Sequence, residues 1–193
     1  MAAATVEEVL SGSGSEFNEE QLLQFAVQKA NTSVHETQRV RPECRGMGST
    51  LTVLLFRETQ YYIAQVGDSR AYLMRDKNLS QLTQDHSIVW SLYKNGIISK
   101  EDLSRHPQKN LITRSIGTQP QVEADLLKGE ALEGDVYLLC SDGLTDVLSD
   151  QEILRLLKGE NRNPQELSEM LVNAANSGGG PDNITAVVVR LAP

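Results

Sequence analysis

Apolar positions change their period near residue 45. Before it they recur three and four residues apart, the spacing that lines one face of a helix. Val6, Val9 and Leu10 form such a stripe over residues 5–10, with Thr5 and Glu8 at the spacing of a capping box. Ser11-Gly12-Ser13-Gly14-Ser15 interrupts the pattern and reads as a flexible loop or an engineered junction. A second helix starts near Asn18 and carries Leu22, Phe25, Ala26, Ala30 and Val34. It can run no further than Pro42, which disfavours helical geometry in the residue before it.

Beyond residue 45 the pattern becomes short apolar runs, as strands require. Residues 51–56 and 61–66 read as a hairpin, and 70–74 as a third strand after the turn Gly67-Asp68-Ser69. Short links between consecutive strands predict an antiparallel meander over 46–83. Later strands are expected at 122–126, 136–140 and 184–191. Between them lie helical stretches at 87–95 and at 99–105, the latter with Ser99 and Asp102 at capping spacing. Two more follow at 150–158 and at 163–176, where Asn163 caps and Pro164 takes the first helical position. Helices, strands, a helical insertion and then strands and helices again make an α+β protein with antiparallel sheet, not a regular βαβ array. The layout is a single domain: a helical start (1–45), the meander (46–83), an insertion (84–118) and C-terminal strands and helices (119–193).

The formal net charge of -8 argues against nucleic acid or an anionic membrane as the main partner. It suits a cation-binding protein or simply a well-solvated one. Cys44 and Cys140 have neither disulfide-framework nor zinc spacing, and Cys140 within an apolar run reads as a buried thiol. No window approaches 18 apolar residues and the first residues lack the features of a secretory signal, so a cytoplasmic location is expected.

Three aspartates stand at strand ends beside small residues: Asp68 in Gly67-Asp68-Ser69, Asp142 in Ser141-Asp142-Gly143, and Asp182 in Pro181-Asp182-Asn183. A carboxylate there is held rigidly while its oxygens face outward, and several together suit a hard cation such as Mg2+ or Mn2+. Each of these dipeptides taken alone is also an ordinary turn.

Their order along the chain decides more than their composition. Six segments follow one another: Gly46-Met47-Gly48-Ser49-Thr50; Gly67-Asp68-Ser69-Arg70; Leu82-Thr83-Gln84-Asp85-His86-Ser87; the run from His106 to Gly117; Ser141-Asp142-Gly143-Leu144-Thr145-Asp146; and Gly179-Gly180-Pro181-Asp182-Asn183. In this order they resemble the metal-dependent type 2C protein serine/threonine phosphatases, bacterial members above all. The resemblance implies an antiparallel β-sandwich flanked by helices, with a metal centre at one end. It implies two or three Mn2+ or Mg2+ ions, with Asp142 and Asp182 as ligands and Asp68 helping to hold an additional, weaker ion. Ions roughly 4 Å apart would activate water for direct attack on phosphoserine or phosphothreonine, so no side chain serves as nucleophile. It implies a phosphoprotein substrate, a kinase as antagonist, and a mobile flap from about His86 to Asn110.

The family pattern also includes two earlier strands with a phosphate-gripping arginine and an Asp-Gly-x-Gly-Gly motif, whose aspartate bridges the metals. Residues 1–193 do not contain that motif. The expectation is weak metal binding and little activity from this chain alone, the alternative being a non-catalytic, partner-binding relative. An uncovered sheet edge would favour a homodimer.

Other residues read more simply. His86 is open to a general-acid role, with a cap or turn contact the simpler reading. Arg70 and Arg114 can meet a phosphate or pair with a carboxylate. Trp90 reads as packing, His35 as exposed near a helix end, and Ser177-Gly178-Gly179-Gly180 as a flexible approach to Asp182.

Overall fold

The computed structural model describes residues 1–12, 17–103, 105–159 and 162–192. They form two compact units, one from residues 1–67 and 85–130, the other from 68–84 and 131–193.

The first unit begins with helix α1 (Ala2–Gly12), longer at both ends than the stripe predicts. Thr5 therefore lies inside the helix, where its hydroxyl donates to the Met1 carbonyl (3.2 Å), and does not cap it. Most of the Gly/Ser break lies outside the described residues. Helix α2 (Glu19–Val40) has the expected start: the Asn18 side chain accepts from the Gln21 amide (2.8 Å), and Gln21 accepts from the Asn18 amide (3.2 Å). Leu22, Leu23, Ala26, Val27, Ala30 and Val34 make its buried stripe, whereas Phe25 is exposed and stacks on Phe17.

Strands β1 (Leu51–Arg57) and β2 (Gln60–Val66) form the expected hairpin. The meander ends there. In the order β1-β2-β5, β2 pairs next with β5 (Asp125–Glu130), while β3 (Arg70–Arg75) belongs to another sheet. The cause is Gly67. Its φ of +105° is open to glycine alone at low cost, and a Cβ there would lie 2.3 Å from Thr50 Cγ2. Its carbonyl accepts from the His86 amide (2.9 Å) and its amide donates to His86 Nδ1 (3.0 Å), so both backbone groups are committed away from a β2–β3 ladder.

The strand expected at 122–126 begins three residues later. The Val122 and Ala124 amides donate to the side chains of Gln28 and Gln24 on α2 (both 3.1 Å), which replaces strand pairing with side-chain pairing. Ile88–Lys94 forms α3, with Ser87 accepting from the Trp90 amide (3.2 Å). The helix expected at 99–105 is absent among the described residues. Ser99 and Asp102 do bond (2.6 Å), but residues 100–103 make only turns.

The second unit is built on a sheet of order β4-β3-β6-β7, with β4 (Asn78–Gln81), β6 (Val136–Cys140) and β7 (Ala186–Arg190), every pair antiparallel. Helices α4 (Asp142–Thr145), α5 (Asp150–Leu157) and α6 (Pro164–Ser177) accompany it. Ser149 and Asn163 cap the last two through full capping boxes. Tyr72, Leu138, Leu144, Ile153, Leu157, Leu167 and Leu171 make one continuous core. No helix among the described residues is long and apolar enough to cross a membrane.

Candidate metal centre

The register of the second unit's sheet gathers the three aspartates. Arg70 pairs with Cys140, and Cys140 pairs with Ala186. Asp68 precedes Arg70 by two residues, Asp142 follows Cys140 by two, and Asp182 precedes Ala186 by four. In antiparallel strands those offsets all lead off the same end of the sheet.

Asp142 opens α4 and Asp182 lies in the loop entering β7, and a set of short contacts ties the two segments together. The Ser141 amide donates to the Thr185 carbonyl (3.1 Å), the Ser141 hydroxyl donates to the Asn183 carbonyl (3.2 Å), and the Thr185 amide donates to that hydroxyl (3.0 Å). Gly143 completes the approach: a Cβ there would stand 2.3 Å from the Asn183 carbonyl oxygen. Each aspartate accepts from the next backbone amide, Gly143 to Asp142 (2.8 Å) and Asn183 to Asp182 (2.7 Å). These are the turn bonds that make Asp-Gly and Asp-Asn common in loops, here fixing the carboxylates' direction.

Asp142 is half-buried while Asp182 and Asp146 are exposed. Burial pushes the Asp142 carboxyl above its ordinary value; the Gly143 amide opposes this, and the charges of Asp146 and Asp182 add to it. Crowded carboxylates of one sign with oxygen-only donors fit a divalent cation, which would remove the repulsion. Asp146 joins them one helical turn after Asp142, a spacing already present in Ser141-Asp142-Gly143-Leu144-Thr145-Asp146. Among the described residues no three His, Cys, Asp or Glu side chains come close enough to hold an ion as a set. Asp68 is thus at the same sheet end without forming a three-ligand group.

The remaining candidates have structural partners. His86 is buried; its Nδ1 accepts from Gly67, which leaves the proton of the neutral ring on Nε2, 3.2 Å from Asp125 Oδ2. Arg114 donates to Asp125 Oδ1 (2.6 Å) and to the Glu123 carbonyl (3.0 Å). Burial pushes Asp125 up, but the bonds from Arg114 and His86 outweigh it and hold the carboxyl below its ordinary value. His35 is only partly exposed, with Nδ1 3.0 Å from the Gly117 carbonyl. Arg70 donates to the Tyr72 hydroxyl (3.2 Å). Trp90 stacks edge-on with Tyr93. Gly178 closes α6, its amide donating to the Ala174 carbonyl (3.0 Å), so the glycine run terminates a helix.

Comparison with known proteins identifies the family. The sequence profile of protein phosphatase 2C matches residues 4–91. The crystal structure of the Mycobacterium tuberculosis serine/threonine phosphatase PstP/Ppp superposes with a TM-score of 0.90 at 37% identity, over 100% of this chain and 82% of that one. The chain belongs to the protein phosphatase 2C family. A second family structure, the catalytic domain of PstP in complex with two manganese ions, gives a TM-score of 0.88 at 35% identity, covering 100% of this chain and 79% of that one. The Listeria monocytogenes serine/threonine phosphatase stp is 40% identical over 168 residues, 87% of this chain and 66% of that protein. The mycobacterial PstP sequence is 42% identical over 166 residues, 86% of this chain and 32% of its own length. The chain thus spans just under two thirds of the Listeria relative and about a third of the mycobacterial one. The resemblance read from six ordered segments is borne out, and with it the α+β fold of antiparallel sheet and helices.

Proposed function

We propose that this chain is a phosphatase domain acting on phosphoserine and phosphothreonine in proteins, with Asp142 and Asp182 holding a divalent ion and Asp68 helping to hold a weaker one. The observation that carries this reading is the Asp142–Asp182 juxtaposition, where burial and the like charges of Asp146 and Asp182 raise the Asp142 carboxyl and a bound cation would offset both effects. The ions, Mn2+ or Mg2+, supply neutralisation of the phosphoryl oxygens and activation of a water. The chain's own contribution is positional: Ser141, Gly143 and Asn183 hold the two aspartate-bearing segments against each other.

Two carboxylates and a third nearby make a thin donor set for a pair of ions. A polypeptide of residues 1–193 is therefore expected to bind Mn2+ weakly and to hydrolyse p-nitrophenyl phosphate at a rate close to that of buffer. Binding should weaken further as pH falls through the raised Asp142 value, since protons compete for that carboxylate. Calorimetry with Mn2+ tests the site: Asp142→Asn and Asp182→Asn should each remove the heat. No heat from the unaltered chain would dispose of the partial metal site. Mn2+-dependent turnover that these variants abolish would instead refute near-inactivity and leave the phosphatase reading standing. A non-catalytic, phosphoprotein-binding role is what remains if ions bind and no turnover is found at any ion concentration. A cytoplasmic location belongs to the same reading, supported by Cys44 and Cys140 both being free thiols, as does a kinase as the antagonist.

A homodimer is the second part of the proposal. Strand β7 is an edge of its sheet and Val187 on it is 50% exposed, a combination that tends to recruit another strand. Light scattering should give twice the chain mass of 21.3 kDa at high concentration; a monomer throughout would remove this part.

A further inference from the structure

Positive charge gathers near the end of α2 with no carboxylate to answer it. A cavity of about 510 Å³ opens there in the first unit, within the range of small-molecule sites. Arg39, in the last turn of α2, and Arg45, just after the short helical turn Pro42–Cys44, line it, and no acidic residue does. Both arginines are exposed, and neither guanidinium makes a hydrogen bond or ion pair with any described residue. Glu36 and Glu43 are the acidic residues nearest to them in sequence, yet neither pairs with them. In a chain of net charge -8, carboxylates were available to both. The dipole of α2 accounts for Arg39 in its last turn. It does not account for Arg45, which lies outside that helix.

The walls between the arginines are fixed. Gln38 donates to the Gly117 carbonyl (2.7 Å) and accepts from the Gly46 amide (2.9 Å), which ties α2 to the 117–118 segment and to the turn that carries Arg45. Gly117 is held from its other side, its amide donating to the buried Asn31 side chain (2.7 Å). His35 Nδ1 lies 3.0 Å from the same Gly117 carbonyl. A carbonyl only accepts, so Nδ1 holds the proton of the neutral ring, and Nε2 is left without a partner among the described residues. The Gly117 carbonyl is thus covered by two donors and offers an anion little repulsion.

We propose that this pocket binds the phosphoryl group of a phosphorylated protein side chain, held between Arg39 and Arg45, with His35 Nε2 as a further donor when it carries a proton. A phosphate monoester bears close to two negative charges at neutral pH and presents three acceptor oxygens. Two guanidinium forks match it in charge and in donor geometry; a carboxylate would answer only one of them. The pocket is also shallow, since Arg39, Pro42, Arg45 and Thr118 are all exposed. A free phosphate compound would stay largely in water there, whereas a polypeptide bearing the phosphate can lie across Pro42 and Thr118. The expectation of a phosphoprotein ligand rests on the phosphatase reading, but binding here uses neither the aspartates nor a metal ion, so the two are tested separately.

The probe is a short Gly/Ala peptide, blocked at both ends and carrying one phosphoserine, titrated into the full 193-residue chain in EDTA, with backbone amide NMR shifts as the readout. In EDTA the aspartates hold no ion to draw the phosphate, and the peptide stays intact. Saturable shifts should centre on Arg39, Arg45, Gly46 and Thr118. The same peptide with unphosphorylated serine should give none. The phosphopeptide should bind an Arg39→Gln/Arg45→Gln variant at least about tenfold more weakly, the loss expected for two exposed charge-assisted contacts. Neither guanidinium supports the fold, so that variant should melt as the parent does, and the serine comparison needs no variant at all. Inorganic phosphate, which has the charge but no chain to lie on the rim, should bind several-fold more weakly. Inorganic phosphate binding as tightly as the phosphopeptide would make this a site for free anions only. That result, unaltered affinity in the double variant, shifts centred elsewhere, or no saturation at millimolar peptide would each overturn the proposal.

Discussion

Replacing Gly143 by alanine should lower stability by about 2 kcal/mol and move Asp142 away from Asp182. The added Cβ would stand 2.3 Å from the Asn183 carbonyl oxygen and 3.0 Å from its carbonyl carbon. Both are backbone atoms, so no side chain can swing aside to make room. Overpacking of this kind costs up to about 3 kcal/mol, offset by up to about 1 kcal/mol because alanine is the better helix former. Relief requires the 182–185 loop to back away, which breaks the bonds from Ser141 to Asn183 and from Thr185 to Ser141. For a chain of this size the melting temperature should fall by about 4–8 °C. Gly12→Ala is the matched control: it too lies in a helix, and nothing stands within 4 Å of its Cβ position, so it should be neutral or slightly stabilising. With Asp182 displaced, Asp142 should lose part of its upward shift, visible by carboxyl NMR titration, and Mn2+ heat should shrink. Equal melting of the two variants, with Asp142 titrating unchanged, would mean that Gly143 does not hold the carboxylates together.

Several local signals of backbone chemistry were legible in the sequence, although the Thr5–Glu8 pair misplaced the start of α1. Asn163 with Pro164 marks a helix start, and the second helix was placed from Asn18, because capping is a contact within four residues. Val136–Cys140 was legible as a strand because its apolar run is short and bounded. Other failures concern partners distant in sequence. Residues 122–124 look like a strand, yet their backbone groups go to Gln24 and Gln28, almost a hundred residues away. Strands β2 and β3 look like consecutive members of one meander, yet His86 occupies the Gly67 backbone and each strand finds its further partner elsewhere. Strand β4, Asn78–Gln81, has one apolar residue and no period to detect. The 99–105 stretch carries a capping pair, Ser99 with Asp102, but a cap alone cannot sustain a helix.

The candidate metal centre was legible for a different reason. No spacing along the chain brings residues 68, 142 and 182 together; the order of motifs did, through resemblance. What the structure adds is the register by which one end of one sheet collects all three, and a fourth carboxylate, Asp146. Ion pairs such as Arg75–Asp135 stayed invisible, since an arginine and an aspartate sixty residues apart carry no pattern.

That pair supports the largest stability prediction. Asp135 is 1% exposed and saturated with donors: Arg75 Nε to Oδ1 (2.7 Å), and Arg75 Nη2 (2.6 Å), the Leu132 amide (2.9 Å) and the Tyr137 hydroxyl (3.0 Å) to Oδ2. In Asp135→Asn the amide NH2 faces at least one of these donors whichever way it is turned, and the Arg75 charge loses its counter-ion. Removing one partner of a buried pair costs about 3–5 kcal/mol; Arg75 is 33% exposed, so the lower end, about 3 kcal/mol, applies. The pH dependence follows from the direction of the shift. Burial pushes Asp135 up, but the bonds from Arg75, Leu132 and Tyr137 outweigh it and hold the carboxyl below its ordinary value of 3.8. A depressed carboxylate contributes stability above its unfolded value and loses it as pH falls through the folded one. Denaturant unfolding should therefore separate the parent from Asp135→Asn by about 3 kcal/mol at pH 7, with the gap closing below about pH 4. A gap that is small at pH 7, or that persists unchanged into acid, would show that the Arg75–Asp135 charge does not hold β3 to β6 at this end of the sheet.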